Sequence, residues 1–70
     1  MNKYKLLYLI RERGYTTESF CKEIGISLSS FSKRLNMHVE FSRNEILKII
    51  TVLGLSNDEV IDIFFAKKVS

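Results

Sequence analysis

The chain has 70 residues, the size of one small domain and near the lower limit for independent folding. Apolar residues make up 46%, the net charge is +3 and the pI is about 9.2, so a compact core and a mild basic bias are both expected. One cysteine excludes an internal disulfide and one histidine cannot complete a metal cage, so we expect a single domain over residues 1–70 without a metal or other cofactor.

The positive charge is uneven along the chain. Residues 1–48 carry nine Lys and Arg against five Asp and Glu, whereas residues 49–70 carry two against three. A basic N-terminal part and a slightly acidic C-terminal part suit a polyanionic partner that binds on one side. Ordinary surface charge explains the same numbers. The apolar stretch at residues 6–10 is too short for a membrane span and is not followed by a signal-peptide cleavage pattern, which predicts a cytoplasmic protein.

The first helix is predicted over about Lys3 to Arg13. Leu6, Leu7 and Ile10 follow helical spacing and form its inward stripe, and Gly14 then stops the helix.

Two short helices are predicted next, over about 17–24 and 28–36. Thr17 is the expected N-cap of the second helix, because its hydroxyl can accept a free N–H of the first turn. Gly25 falls where that helix must stop and reaches positive φ without steric cost. Ser27 is the expected cap of the third helix. Two short helices joined by a tight glycine turn are typical of a helix-turn-helix.

The fourth helix is predicted to begin after Ser42, with Glu45 three residues on in a capping-box arrangement, and to end at Gly54. Its apolar residues mark it as a central element; they are Ile46, Leu47, Ile49, Ile50 and Leu53.

The fifth helix repeats the capping-box pattern at Ser56 and Glu59, and Lys67 and Lys68 suit the negative end of its dipole. Since strand-like alternation is not convincing anywhere in the sequence, we predict an all-α fold of five helices.

The fifth helix is apolar on more than one face. Val60, Ile61, Ile63, Phe64 and Phe65 occupy too much of its circumference for one buried stripe. A homodimer interface would cover the excess, with Ile61 or Phe65 as the exposed member. The alternative is that a five-helix core absorbs all five side chains.

Three positions in the helix-turn-helix carry a resemblance to a known family. Cys21, Gly25 four positions later and Phe31 six positions after that resemble the lambda-repressor-like group of phage repressors, Cro proteins and xenobiotic-response-element-type regulators. The flanking segments RERGYTTESF and ITVLGLSNDEVIDIFF are similar to the family's junctions between helices one and two and between helices four and five. Membership implies a non-catalytic transcriptional regulator that binds double-stranded DNA in the bacterial cytoplasm, on the nucleoid, and the homodimer suggested by the fifth helix would suit that role.

The resemblance implies that the start of the third helix reads base edges in the major groove. The matching positions are Leu28, Ser29, Ser30, Ser32 and Lys33. Leucine can pack on a thymine methyl, serine discriminates weakly among acceptors, and lysine can reach guanine or a phosphate. The alternative for the serines is that they are simply solvated helix positions.

Phosphate contacts are implied around these positions. Asn36 matches a family position that contacts the DNA backbone. Thr17 is expected to bind a phosphate because it lies at the N-terminus of the second helix, and Arg43 and Asn44 because they open the fourth. Lys22 and Arg34 are either phosphate ligands or ordinary surface charges. Such contacts would make binding dependent on salt. Cys21 is expected to be a small buried residue and His38 a solvated loop residue.

One departure from the family concerns an ion pair. Many relatives have an arginine late in the first helix and a glutamate late in the third, which pair inside the domain, whereas the matching residues here are Ile10 and Leu35. Since both are apolar, we expect them in one cluster.

A second functional hypothesis keeps the fold but makes it a protein-interaction module, of antitoxin or anti-repressor type, since the reading helix is rich in serine and the last helix is apolar. An enzyme is not indicated: the sequence has neither a paired nucleophile and base nor a glycine-rich phosphate loop.

Overall fold

The computed structural model describes residues 1–65, and within them the chain is all-α, as predicted. Its helices are α1 (Lys3–Glu12), α2 (Thr17–Ile24), α3 (Leu28–Leu35), α4 (Arg43–Leu53) and α5 (Asn57–Phe64). Residues 1–65 contain no strand. The predicted contribution of Lys67 and Lys68 to the end of the fifth helix lies outside the described residues.

Each helix begins at a side-chain cap. Ser27, Ser42 and Ser56 cap α3, α4 and α5 as predicted, and the latter two form capping boxes with glutamates. The predicted cap of α2 was wrong by one residue. Thr16 is the N-cap, because its hydroxyl accepts from the Ser19 N–H while the Ser19 side chain accepts from the Thr16 N–H.

Two glycines end helices in the left-handed conformation. Gly25 has φ of 75° at the end of α2 and Gly54 has φ of 63° at the end of α4. The segment from Gly25 to Ser27 is the turn between α2 and α3, so the predicted helix-turn-helix is present.

The buried residues come from all five helices and form one cluster. The members are Leu6, Leu9, Ile10, Phe20, Cys21, Ile24, Phe31, Ile49, Leu53 and Ile63. Leu35 packs against this cluster, as the replacement of the ion pair predicts. The expected inward stripe of α1 was wrong in part, since Leu7 is only half-buried. In α4, Leu47 is 52% exposed because it lies off the stripe that Ile49 and Leu53 direct inward.

An edge-to-face series of aromatic rings crosses the core. Tyr15, Phe20, Phe31 and Phe41 follow one another at centroid distances of 5.9 Å, and Phe64 lies 6.2 Å beyond Phe41. Such pairs are the preferred geometry of aromatic contacts. The series joins α2, α3 and α5 through the loop before α4, so α3 is fixed at its middle from two sides.

One arginine ties the ends of α1, α4 and α5 together. Arg13 donates from Nε to the Leu53 carbonyl at 3.2 Å and from Nη2 to Glu59 at 3.2 Å, while Nη1 reaches Glu12 at 2.7 Å. Both Arg13 and Glu59 are partly buried.

Among residues 1–65, the helices are all too short or too polar to cross a bilayer.

Candidate nucleic-acid interface

The outer face of α3 is free of the protein's own core. Leu28 is 51% exposed, and Ser29, Ser32 and Lys33 are also exposed, whereas Phe31, on the side of the helix opposite Ser29 and Lys33, is fully buried. Within residues 1–65, Lys33 forms no ion pair. Four of the five predicted base-reading side chains therefore point outward on one short helix.

Ser30 is the exception among those five residues. It is half-buried, and its hydroxyl accepts a hydrogen bond from the Ser27 hydroxyl at 2.9 Å. The Ser29 hydroxyl lies 3.3 Å from the same Ser27 oxygen. These bonds fix the hydroxyls at the start of α3, and they leave Ser29 and Ser32 more accessible to a ligand than Ser30.

The start of α4 places further polar groups on the exposed surface. Arg43 and Asn44, the first residues of the helix, are both exposed. Lys48 was missed by sequence reasoning. Its Nζ lies 3.9 Å from the position that a Cβ would take on Gly25, which puts an ammonium beside the turn that leads into α3. The signal was available, because Asn44 and Lys48 are one helical turn apart.

The remaining predicted phosphate ligands have mixed surroundings. Thr17 is half-buried in the first turn of α2. The Asn36 side chain accepts from Lys3 Nζ at 3.1 Å, which connects the end of α3 to the start of α1. Lys22 is exposed and lies 3.9 Å from Glu18, a spacing that leaves its ammonium largely in solvent. Their roles toward DNA stay predictions.

Arg34 differs from the other basic residues of this surface because it is partly buried and bound to two other protein groups. Its Nε donates to Glu45 Oε1 at 2.9 Å and its Nη1 to the Ser30 carbonyl at 3.1 Å. Only 19% of the Arg34 side chain and 15% of the Glu45 side chain are exposed. Sequence reasoning missed this pair, since nothing in local spacing connects residues eleven positions apart.

Glu45 also serves as the capping-box residue of α4. Its Oε1 accepts from the Ser42 N–H at 2.7 Å, so one oxygen receives both that bond and the bond from Arg34. Burial by itself raises the pKa of the Glu45 carboxyl, but the bonds from Ser42 and Arg34 outweigh burial and lower it. The carboxylate is therefore held in its charged form.

An apolar surface lies at the end of α5. Ile61 is 54% exposed and Phe65 is 68% exposed, so the two side chains predicted to be the exposed members of this helix are exposed. Next to them is an open groove of about 310 Å³. Its apolar lining consists of Met1, Met37, Phe41, Ile46, Phe64 and Phe65, and Arg34 and Glu40 line its polar edge.

Met37, in the loop after α3, has an unusual backbone conformation. Its φ is 65°, a left-handed value that glycine normally supplies at this position. The Met37 N–H donates to the Arg34 carbonyl and the His38 N–H to the Lys33 carbonyl, which together close α3 in a Schellman motif. The Met37 side chain is 60% exposed, so it gains little burial in return.

Comparison with known proteins gives a family without a described activity. The family model described as "Protein of unknown function (DUF739)" matches residues 2–67. No curated protein and no solved structure gives a match.

Proposed function

The chain belongs to the family described as protein of unknown function (DUF739), and we propose that it is a sequence-specific regulator that binds double-stranded DNA. It would act as phage or prophage repressors and Cro proteins do, by occluding promoter DNA in the cytoplasm of a bacterial cell. Catalysis is not needed for this role.

The observation that carries the proposal is the outward face of α3. Ser29 and Lys33 are exposed on the side of the helix opposite buried Phe31, and Leu28 is exposed in the first turn, directly after the turn from Gly25 to Ser27. A helix of this kind fits the major groove of B-DNA, where base pairs present distinct patterns of donors, acceptors and methyl groups.

The chemistry of this face favours thymine-containing sites. Leu28 offers an apolar contact for a thymine methyl group, and Lys33 offers donors to guanine or a phosphate. The hydroxyls of Ser29 and Ser32 accept and donate, so they add affinity with little discrimination. Replacing contacted thymines by deoxyuridine would remove the methyl groups and should weaken binding of the wild-type protein but not of Leu28→Ala.

Phosphate contacts would come from the elements that flank α3. Arg43 and Asn44 open α4 directly after the loop that follows α3, Lys48 lies beside the Gly25 turn that precedes α3, and Thr17 opens α2. With about four to six phosphates neutralised per domain, the logarithm of the binding constant should fall steeply with the logarithm of the salt concentration.

A homodimer would supply the second recognition helix. In a two-fold dimer, the exposed Ile61 and Phe65 of one copy would meet the same surface of the other, and the two α3 helices would contact half-sites roughly 34 Å apart. Ile61→Asp combined with Phe65→Ser should then abolish the dimer in sedimentation experiments and weaken binding to a two-site duplex more than to a single half-site.

Selection from a randomised pool of 30-base-pair duplexes tests the main proposal. Bound molecules are sequenced, and the enriched duplex is titrated by fluorescence anisotropy at several salt concentrations. We expect an enriched motif, salt-dependent binding, and loss of motif preference in Leu28→Ala. A pool that stays random, or binding that does not respond to salt, would contradict the proposal.

The second candidate function is a protein-interaction module on the same scaffold. The observation that favours it is the apolar groove beside Phe65, which is lined by two methionines and so resembles surfaces that adapt to apolar partners. A pull-down that yields one stoichiometric partner protein, together with a failed duplex selection, would favour this candidate over the regulator.

A further inference from the structure

Helix α3 has a small apolar anchor. Phe31 is its only fully buried side chain, with the Phe20 and Phe41 rings each at a centroid distance of 5.9 Å, and half-buried Leu35 packs against the same core cluster. Because Phe31 and Leu35 are four residues apart on one narrow stripe, they leave the rotation of the helix about that stripe weakly determined. A surface that reads base edges requires that rotation to be fixed to within about 10–20°.

A further anchor of α3 is polar. Arg34 lies three residues after Phe31, on the same side of the helix. Its guanidinium spans the Ser30 carbonyl in its own helix and the Glu45 carboxylate at the start of α4. Because Glu45 is itself fixed by the Ser42 N–H, the guanidinium connects α3 to a rigid partner.

We propose that Arg34 and Glu45 are positioning residues, which hold the recognition helix at one orientation on α4, and that Arg34 does not bind phosphate. The proposal rests on the DNA-binding function proposed above. It removes Arg34 from the predicted phosphate ligands, and it gives Glu45 a role in DNA binding although a carboxylate repels phosphates.

The chain contains a matched control for this pair. Arg13 and Glu59 are also an arginine and a capping-box glutamate, and they are also partly buried. The side-chain hydrogen bonds of Arg13 join the end of α1 to α4 and α5, and none of them is to α2 or α3. Breaking either pair therefore removes the same kind of interaction, but only one of the two pairs contacts the recognition helix.

The test compares Arg34→Met and Glu45→Gln with Arg13→Met and Glu59→Gln on the selected duplex. Methionine retains an apolar stem, and glutamine can still occupy the third position of a capping box. We expect Arg34→Met and Glu45→Gln each to weaken binding roughly ten-fold at unchanged salt dependence, with the two losses not additive in the double variant. The control variants should bind like the wild type under conditions where they are folded.

The salt dependence and Glu45→Gln separate positioning from phosphate binding. If Arg34 bound a phosphate, Arg34→Met would reduce the salt slope by about one unit. Glu45→Gln would then release the guanidinium and leave binding unchanged or stronger. Either result would overturn the proposal.

Hydrogen exchange tests the positioning without DNA, so failure of the regulator proposal can be recognised separately. In Arg34→Met, backbone amides of α3 should exchange several-fold faster relative to those of α2. In Arg13→Met, the ratio between the two helices should stay at its wild-type value. An unchanged ratio in Arg34→Met would refute the positioning role even if the wild-type protein binds DNA.

Discussion

Helices α2 and α3 have the same length and the same type of cap but are held in different ways. Each has eight residues and begins at a hydroxyl cap. Helix α2 buries Phe20, Cys21 and Ile24, whereas α3 fully buries Phe31 alone, half-buries Leu35, and is also attached through the Arg34–Glu45 pair. The difference shows how a small domain can free one helix surface: a neighbouring helix carries the apolar burial, and the free helix is oriented by polar contacts.

The largest expected difference is in stability, between truncating an aliphatic residue of α2 and truncating one of α3. Ile24 is 1% exposed and Leu28 is 51% exposed. Ile24→Ala should lower the free energy of unfolding by roughly 2–5 kcal/mol, and Leu28→Ala by less than about 0.5 kcal/mol. Urea unfolding measures both. Similar losses in the two variants would show that α3 is packed as firmly as α2.

The turn between the two helices gives the next largest effect. Gly25→Ala places a Cβ on a residue with φ of 75° and should cost roughly 1–2 kcal/mol. Gly54→Ala is the matched control, with φ of 63° at the end of α4 and a similar expected cost in thermal unfolding. Of the two, Gly25→Ala alone should also weaken DNA binding, since it alone alters the junction between α2 and α3.

At Met37, after the end of α3, a substitution should raise the stability of the protein instead of lowering it. Met37→Gly relieves the left-handed backbone and should stabilise the protein by roughly 0.5–1 kcal/mol, after allowing for the greater freedom of glycine in the unfolded chain. Met37→Ala keeps the strained backbone and removes most of the side chain, so it should give no gain. If the two variants were equally stable in urea, the conformation of Met37 would not be a source of strain.

The smallest expected effect is on the pH dependence of stability. The pKa values of Glu45 and Glu59 are both lowered in the folded protein; for Glu59 the hydrogen bond from the Ser56 N–H is the main cause. Because the folded pKa values lie below the unfolded ones, this stabilisation is present above about pH 4.5 and is lost as the pH falls further. Glu45→Gln should flatten the acid limb of a plot of stability against pH, and so should Glu59→Gln.

Measurements at low pH also test whether α2 and α3 are held in different ways. Loss of the Glu45 charge should loosen α3 before α2 in amide exchange at low pH, whereas loss of the Glu59 charge should not distinguish them. An acid limb with the wild-type shape in both variants would mean that neither carboxylate contributes to the pH dependence.

Local signals in the sequence were sufficient for most of the fold. Ser27, Ser42 and Gly25 were identified because a cap or a left-handed turn depends on the residue type at a single position. The error at Thr17 arose where two threonines adjoin, and the residue that completes the box is Ser19 rather than the usual glutamate. The burial of Leu9 was missed because adjacent apolar residues leave the phase of the inward stripe ambiguous.

The site was less predictable than the fold. Exposure of Ser29 and Lys33 follows from their phase relative to Phe31, which helical periodicity supplies. Leu28 lies three residues before Phe31, so its place at the surface was expected from the family resemblance and not from phase. The Arg34–Glu45 pair and the approach of Lys48 to Gly25 depend on how separate helices meet, and no local spacing encodes that. Arg34 therefore looked like any other surface cation in the sequence, and only its partners in the structure distinguish it from Lys33.

The most direct test of the account is to map backbone amide shifts of the labelled protein during titration with the selected duplex. The account predicts the largest changes across residues 28–33 and at the start of α4, with a control spectrum at high salt showing their reversal. Changes concentrated on the exposed Tyr4 and Tyr8 of α1, with residues 28–33 unaffected, would contradict the claim that α3 is the surface that binds DNA.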